Sequence, residues 1–249
     1  MRHILYIFIT LGFISCDDEN SSNCFQTAGD IVTSEVSIAA FNKILVWEQV
    51  TLFIEEGDTQ KVRIETGENL LKDIELVVID DQLNIYDNNS CNFLRDYGIT
   101  KVYVTSPNIT EIRSSTGFPI SSIGTLNYPE IKLISEDQGV SGITHTDGDF
   151  NITLATEKLD IISNGFAIFK IDGTATNASM SLFAGNTGIE ARNLVVEKLN
   201  LYHRSSNNMY VNPIQSIRGQ IVSFGNVVSV NMPDFIAVEE LFDGRLLFE

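Results

Sequence analysis

The segment Leu159-Asp160-Ile161-Ile162-Ser163 decides the fold. It places apolar residues at its first, third and fourth positions and a small residue at its fifth. The same pattern recurs along the second half of the chain, with weaker copies at both ends of the series. The other full copies are Ile131–Ser135, Met180–Ala184 and Leu199–His203, and the weaker ones are Ile112–Ser114 and Ile221–Ser223.

These copies follow one another at a nearly constant period. Measured at the last residue of each copy, the steps are 21, 28, 21, 19 and 20 residues. Turn formers such as Asn164-Gly165 and Gly185-Asn186 follow most copies, and the longest step holds an insertion around residues 144–149. A period near 20 with short strands and glycine corners indicates a parallel β-helix, in which stacked coils bury a shared inner face. The alternative is a β-sandwich with turns every 8–12 residues or so.

Strand alternation assigns an inner and an outer face to each copy. The first and third positions are predicted to point inward, as in Leu159 with Ile161, Met180 with Leu182, and Leu199 with Leu201. The fourth position then points outward although it is apolar, which predicts an apolar ladder on the outer surface. This ladder consists of Ile134, Ile162, Phe183 and Tyr202. We expect the N-terminal strands to cover it; a second copy of the protein or a ligand bound there is the alternative.

The chain before the repeats carries strand signals of another kind. Val50 to Ile54 reads as a strand, and Ile74 to Ile79 with Leu83 to Tyr86 reads as a hairpin around Asp80-Asp81. No stretch keeps a helical period, so we predict an all-β protein. Antiparallel strands and hairpins in residues 41–106 lead into the repeats of 107–232, and a capping strand follows in 233–249.

The first residues indicate export from the cytoplasm. Ile4 to Ile14 is an apolar run too short to span a bilayer but typical of a signal peptide. It ends in Ser15-Cys16, which resembles the lipobox of bacterial lipoproteins. That resemblance implies cleavage after residues 1–15 and lipidation of Cys16; an ordinary cleaved signal is the alternative. Residues 16–40 then form the lipidated N-terminus and tether, and the lipid provides contact with a membrane.

The acidic run Asp17-Asp18-Glu19 follows the cysteine at once. It resembles the surface-export signal of outer-membrane lipoproteins, so we expect an outer-membrane lipoprotein exposed at the cell surface or otherwise facing the periplasm. The whole chain has 33 acidic and 16 basic side chains, a formal charge of −17. Such a charge repels phosphate backbones, which excludes nucleic acid as a partner.

Three cysteines are present, and two are left if Cys16 carries lipid. In an oxidising compartment we expect these two cysteines, Cys24 and Cys91, to form a disulfide. Two free thiols are the alternative.

No motif for catalysis, metal binding or a cofactor stands out. His145 and His203 lack a partner in any recognisable motif, and we expect His203 to be a satisfied corner residue. Asp147-Gly148-Asp149 is first of all a turn, with a weak cation site as the alternative. Asp160 and Asp172 lie on neighbouring elements and are the further candidates for an acidic pair. Trp47, the only tryptophan, adjoins an apolar strand and is predicted to pack there.

The ordered series of strands and repeats resembles a known family. The segments that carry the resemblance are Phe41–Ile44, Val50–Ile54, Gly67–Leu71, Gln82–Ile85, Val102–Pro107 and Ile112–Gly117. They are similar to the putative auto-transporter adhesins with a head GIN domain, over Phe41 to Met232. The resemblance implies a right-handed, pectin-lyase-like β-helix and a role in adhesion, and it brings no catalytic residues.

Two functions therefore remain in view. One is a surface-anchored, non-enzymatic adhesion or interaction module with a glycan or protein ligand, which could also self-associate. The other is a β-helix enzyme that acts on glycans, since such enzymes use carboxylates that converge on one groove.

Overall fold

A computed structural model describes residues 25–89, 92–93, 95–137 and 145–249. The predicted signal peptide, Cys16, Cys24 and Cys91 lie outside these residues. The protein is all-β, as the sequence predicts. A single turn of 3-10 helix at Leu71–Asp73 precedes the fifth strand.

Seventeen strands are present in the described part of the chain. They are β1 (Ile31–Val36), β2 (Lys43–Glu48), β3 (Thr51–Glu56), β4 (Lys61–Gly67), β5 (Ile74–Ile79), β6 (Gln82–Asp87), β7 (Lys101–Ser106), β8 (Glu111–Thr116), β9 (Ile120–Leu126), β10 (Glu130–Ser135), β11 (Phe150–Ser163), β12 (Ile168–Leu182), β13 (Gly188–His203), β14 (Met209–Ile221), β15 (Val227–Ser229), β16 (Phe235–Glu240) and β17 (Leu246–Phe248).

All the strands belong to one sheet with two parallel series of pairings. The first half of β11 pairs with β9 and its second half with β10, both in parallel. At the other end, β14 pairs with β15 and then with β16. Half-sheet 1 is therefore β7, β3, β9, the first halves of β11–β14, β15 and β17. Half-sheet 2 is β6, β2, β8, β10, the second halves of β11–β14, and β16.

The long strands pass from one half-sheet to the other where their alternation breaks. In β11 every second residue is buried except at Glu157 and Lys158, which are both exposed. Glu197 and Lys198 interrupt β13 in the same way. Two successive exposed side chains mark a corner, because a straight strand turns one of any two neighbours inward. The interior is apolar, and Phe150 stacks on Phe169 of the next strand with ring centroids 4.7 Å apart.

The inward positions predicted from the repeats are confirmed. All six residues are buried, with exposures between 0% and 5%: Leu159, Ile161, Met180, Leu182, Leu199 and Leu201. The alternation of apolar and polar residues in the motif therefore locates the core correctly.

The predicted outer apolar ladder is wrong in its register. The partner of Ile134 and Ile162 on β12 is Ser181, and Tyr202 follows on β13. Phe183 lies two residues further along, beyond the end of β12. The motif aligns Leu159–Ser163 with Met180–Ala184, whereas the true partner on β12 is Ala178–Leu182. A shift of two residues leaves the inward and outward faces unchanged, so alternation cannot distinguish the two alignments. Met180–Ala184 also matches the apolar positions of the motif better.

The ladder is not covered by the N-terminal strands either. Those strands extend the sheet, since β2 pairs with β8 and β3 with β9. Ile134 is buried, Ile162 and Tyr202 are half-buried, and Phe183 is 46% exposed. The outward apolar residues therefore form a short patch around Ile134 and a separate exposed pair, in which the rings of Phe183 and Tyr202 lie 5.5 Å apart.

The N-terminal region differs from the predicted hairpins. The hairpin of β5 and β6 is confirmed, and β1 within the assigned tether pairs antiparallel with β4. However, β2 and β3 belong to the parallel series, between β6/β7 on one side and β8/β9 on the other. Because the spatial order of these coils is not their chain order, no 20-residue period is visible before residue 107. The C-terminal segment holds two strands, β16 and β17, where one was predicted.

Candidate binding surface

The acidic residues considered for catalysis do not come together. The Asp149 carboxylate accepts a hydrogen bond from the backbone N–H of Ile168 at 2.9 Å, which ties the segment before β11 to the start of β12. Asp160 on half-sheet 2 pairs with Lys158 at 3.3 Å, whereas Asp172 lies on half-sheet 1. Asp147 lies 3.6 Å from the Nδ1 atom of His145. No group of three or more potential metal ligands occurs among the described residues.

His203 is fully buried at the end of β13. Its register partners on the adjacent strands are Leu182 and Ile221, so an imidazole occupies an apolar row. Burial lowers the pKa of His203 to about 4, against a smaller opposing influence of the backbone at Asn207 and Gly225. Neither ring nitrogen makes a hydrogen bond to a described residue, so the predicted satisfied corner histidine is only half right. Such a group is neutral at pH 7 and inaccessible to a substrate.

Trp47 packs on the outer side of half-sheet 2. Its ring stacks on Tyr86 with centroids 5.7 Å apart, and it is half-buried. This agrees with the predicted packing role.

An ordered arrangement of half-buried aromatic and cationic side chains lies on half-sheet 1. Phe53 on β3 and Tyr103 on β7 are direct register partners, and Arg63 on β4 is the next partner of Tyr103. The two rings are stacked with centroids 5.0 Å apart and planes 14° apart. The Arg63 guanidinium lies over the other side of Tyr103, 3.9 Å from the ring centroid. We call these three side chains the Arg–Tyr–Phe stack.

An ion pair holds the tyrosine of the stack in place. The Glu65 carboxylate binds Lys101 at 2.8 Å and accepts a hydrogen bond from the Tyr103 hydroxyl at 3.3 Å. The hydrogen bond from Lys101 is the main reason why the pKa of Glu65 lies below its ordinary value of 4.5. The hydrogen bond to Glu65 fixes the Tyr103 hydroxyl. Because the stack is ordered before a ligand binds, less conformational entropy is lost on binding.

The stack lines a depression of about 220 Å³ together with charged and aliphatic side chains. This combination of aromatic, aliphatic and charged groups suits an amphipathic ligand such as a sugar ring or a peptide. The lining residues are Glu35, Phe53, Glu55, Lys61, Arg63, Tyr103, Val104, Thr105 and Ile123.

The sequence contains a signal for this surface that the repeat pattern does not include. Leu52 and Ile54 point inward in β3, and Val102 and Val104 do so in β7. An aromatic residue therefore stands at an outward position in each of these two alternating strands. What the sequence could not provide is the pairing of β3 with β7, since 46 residues separate Lys101 from Glu55 and the pairing is parallel.

Among the described residues, no helix is long and apolar enough to cross a membrane. Comparison with functionally curated proteins gave no match.

Several solved structures have the same fold. A putative adhesin from Bacteroides fragilis superposes with a TM-score of 0.78 at 19% identity, over 90% of this chain and 99% of the other. A putative lipid binding protein from Parabacteroides distasonis gives 0.64 at 16% identity, over 88% and 97%. A putative adhesin from Parabacteroides merdae gives 0.59 at 16% identity, over 89% and 97%.

At these identities the likeness shows the fold alone. The sequence goes further, because the profile described as "Putative auto-transporter adhesin, head GIN domain" matches residues 40–233. That span covers most of the chain and nearly all of its described strands, so the chain belongs to the putative auto-transporter adhesin, head GIN domain family.

Proposed function

We propose that this chain is a non-enzymatic adhesion or interaction module of the bacterial cell envelope, held at the outer membrane by lipid on Cys16. The observation that carries the proposal is the Arg–Tyr–Phe stack, because it exposes ordered aromatic and cationic surface on a rigid strand scaffold. Exposed aromatic and arginine side chains are the residue types that dominate binding energy at interfaces. Membership in a family of adhesins supports the same assignment.

The architecture suits this role. We take the stacked coils to be a right-handed parallel β-helix-like solenoid, which the parallel pairings from β2 to β17 support. Such a scaffold places successive outward side chains about 4.8 Å apart and holds them without an induced fit. A tether of charged residues after Cys16 would keep the solenoid away from the membrane surface.

The enzymatic alternative has less support. A glycosidase needs two carboxyl groups on either side of one bond, about 5–10 Å apart. Asp160 and Asp172 lie on different half-sheets, and Asp149 accepts a hydrogen bond from the backbone N–H of Ile168. The described carboxylates around the stack, Glu35 and Glu55, stand on its rim, and Glu65 is paired with Lys101.

A combined binding and turnover experiment tests the proposal. The chain from residue 16, with Cys16→Ser so that it stays soluble, is applied to an array of glycans and matrix proteins. Ligands that bind are then incubated with the protein and analysed by mass spectrometry. We expect saturable binding to a restricted set of ligands, all of which are recovered intact. Cleavage of a bound glycan with turnover would favour the enzyme instead.

A further inference from the structure

A second surface lies on half-sheet 2, on three successive strands. Asn177 on β12 is the register partner of Lys198 on β13, which is the partner of Ser216 on β14. Two residues further along the same strands, Asn200 is the partner of Arg218. These five residues and Gln215 line an open depression of about 430 Å³. We call it the amide–cation depression.

Its two cations are available to a ligand. Neither Lys198 nor Arg218 forms an ion pair with a described residue, and both residues are exposed. Arg218 is held by its contact with the Phe235 ring, 4.4 Å from the centroid. The chain has a formal charge of −17, so carboxylates are plentiful. Two neighbouring cations without a carboxylate partner therefore create a local positive region on an acidic surface.

The remaining lining groups are neutral and polar. The side chains of Asn200 and Ser216 make no hydrogen bond to another described residue, so their donors and acceptors are open to a ligand. The Glu197 carboxylate, next to Lys198 in the chain, accepts a hydrogen bond from Gln215 at 3.1 Å. From the spacing of strands and of alternate residues, the backbones at Lys198 and Arg218 are roughly 8 Å apart.

We propose that the amide–cation depression binds an acidic polysaccharide through its carboxylate or sulfate groups. The two cations recognise the charged groups, and charge-assisted hydrogen bonds are the stronger kind. The amides and the hydroxyl between them match the sugar hydroxyls of the same chain. This site is separate from the Arg–Tyr–Phe stack, which lies on the other half-sheet.

Two other polyanions fit less well. An anionic membrane surface binds proteins through apolar anchors together with cations, and no apolar side chain lines this depression. A single-stranded nucleic acid is bound largely through stacking of its bases on aromatic side chains, and no aromatic side chain lines this depression.

Binding to immobilised polysaccharides tests the proposal. The full chain, produced with its own N-terminal segment in a Gram-negative host and purified in a non-ionic detergent, is passed over three surfaces. Polygalacturonate offers carboxylates, dextran sulfate offers sulfates, and dextran is the neutral control. We expect retention on at least one of the charged polymers, none on dextran, and weaker retention at high ionic strength.

Variants locate the binding. Lys198→Gln with Arg218→Gln should weaken the affinity at least about tenfold, since both charge-assisted contacts are lost. Lys170→Gln with Arg204→Gln removes the same charge from exposed sites outside the depression and should stay within about twofold. All four substitutions are at exposed positions, so each variant should fold, as circular dichroism would verify.

The outcomes that overturn the proposal are equally defined. They are no retention on either charged polymer, equal losses in the two double variants, or tighter binding through Lys198 and Arg218 to phosphatidylglycerol vesicles or to a single-stranded oligonucleotide. This proposal is tested by Lys198→Gln with Arg218→Gln on the charged polymers, and the Arg–Tyr–Phe stack is tested by Phe53→Ala with Tyr103→Ala on the array ligand, so failure at the one site and failure at the other are distinguishable.

Discussion

Lowering the pH from 7 to 5 should destabilise the folded protein by about 2 kcal/mol through His203 alone. The pKa of His203 is about 4 in the folded protein and 6.5 for an ordinary histidine. The unfolded chain therefore takes up the proton at a higher pH than the folded protein does. The free energy of unfolding falls as the pH drops from about 6.5 to about 4, and no further loss from this group occurs below that. The complete shift corresponds to about 3 kcal/mol.

Urea unfolding at several pH values measures this effect, with His203→Leu as the reference protein. Leucine suits the site, because the register partner on β12 is Leu182. Glu65, whose pKa is lowered by Lys101, also makes the protein less stable in acid, but it is present in both proteins and titrates lower. The pH dependence of the two proteins should differ by about 2 kcal/mol between pH 7 and 5. An NMR titration in which the folded His203 imidazole titrates near 6.5 would refute the reasoning, as would parallel pH profiles.

Three further predictions concern packing and the N-terminal region. Phe169→Ala should lower the free energy of unfolding by about 3–5 kcal/mol, because it empties part of a buried ring stack, whereas Phe183→Asp should leave the melting temperature almost unchanged at a half-exposed position. Equal effects of the two changes in thermal melts would contradict the register. Metabolic lipid labelling should be lost in Cys16→Ser, together with membrane association; a mutant that stays labelled would refute lipidation. Non-reducing peptide mapping should recover Cys24 linked to Cys91, a bridge worth about 4 kcal/mol in the chain-entropy model, and two alkylatable thiols would exclude it.

The repeats predict the core well because burial is a local, periodic property. A strand that alternates buries every second residue whichever strand it pairs with, so Ile161 and Leu201 could be assigned inward without knowing their neighbours. Register is a different matter. The register of two paired strands depends on the number of residues that separate them in the chain. It can also change within a pair, as between Lys170 and Gly173, where a bulge shifts β12 against β13 without any sequence motif that predicts it. Phe183 is misplaced for a separate reason: Ile162 pairs with Ser181, 19 residues later, whereas the motif matches Ile162 with Phe183, 21 residues later.

The pairing of strands that are distant in the chain could not be predicted from the sequence. The parallel position of β2 and β3 between later strands depends on pairings of residues that are 39 to 68 positions apart in the chain. Local patterns contain no information about such pairings, so adjacent strands were taken as hairpins. Both candidate surfaces arise from these pairings. Phe53 lies beside Tyr103, and Lys198 beside Ser216, only once the strands have paired. Strand alternation predicts the outward orientation of each residue but not its neighbour.

Isothermal titration calorimetry with the strongest array ligand determines whether ligand binding takes place at the Arg–Tyr–Phe stack. Phe53→Ala with Tyr103→Ala removes the stacked pair, and Phe183→Ala with Tyr202→Ala removes another phenylalanine–tyrosine pair, whose centroids are 5.5 Å apart. We expect at least about a tenfold weaker affinity for the first variant and a change within about twofold for the second. Unchanged affinity in the first variant, or a larger loss in the second, would exclude the stack as the binding site.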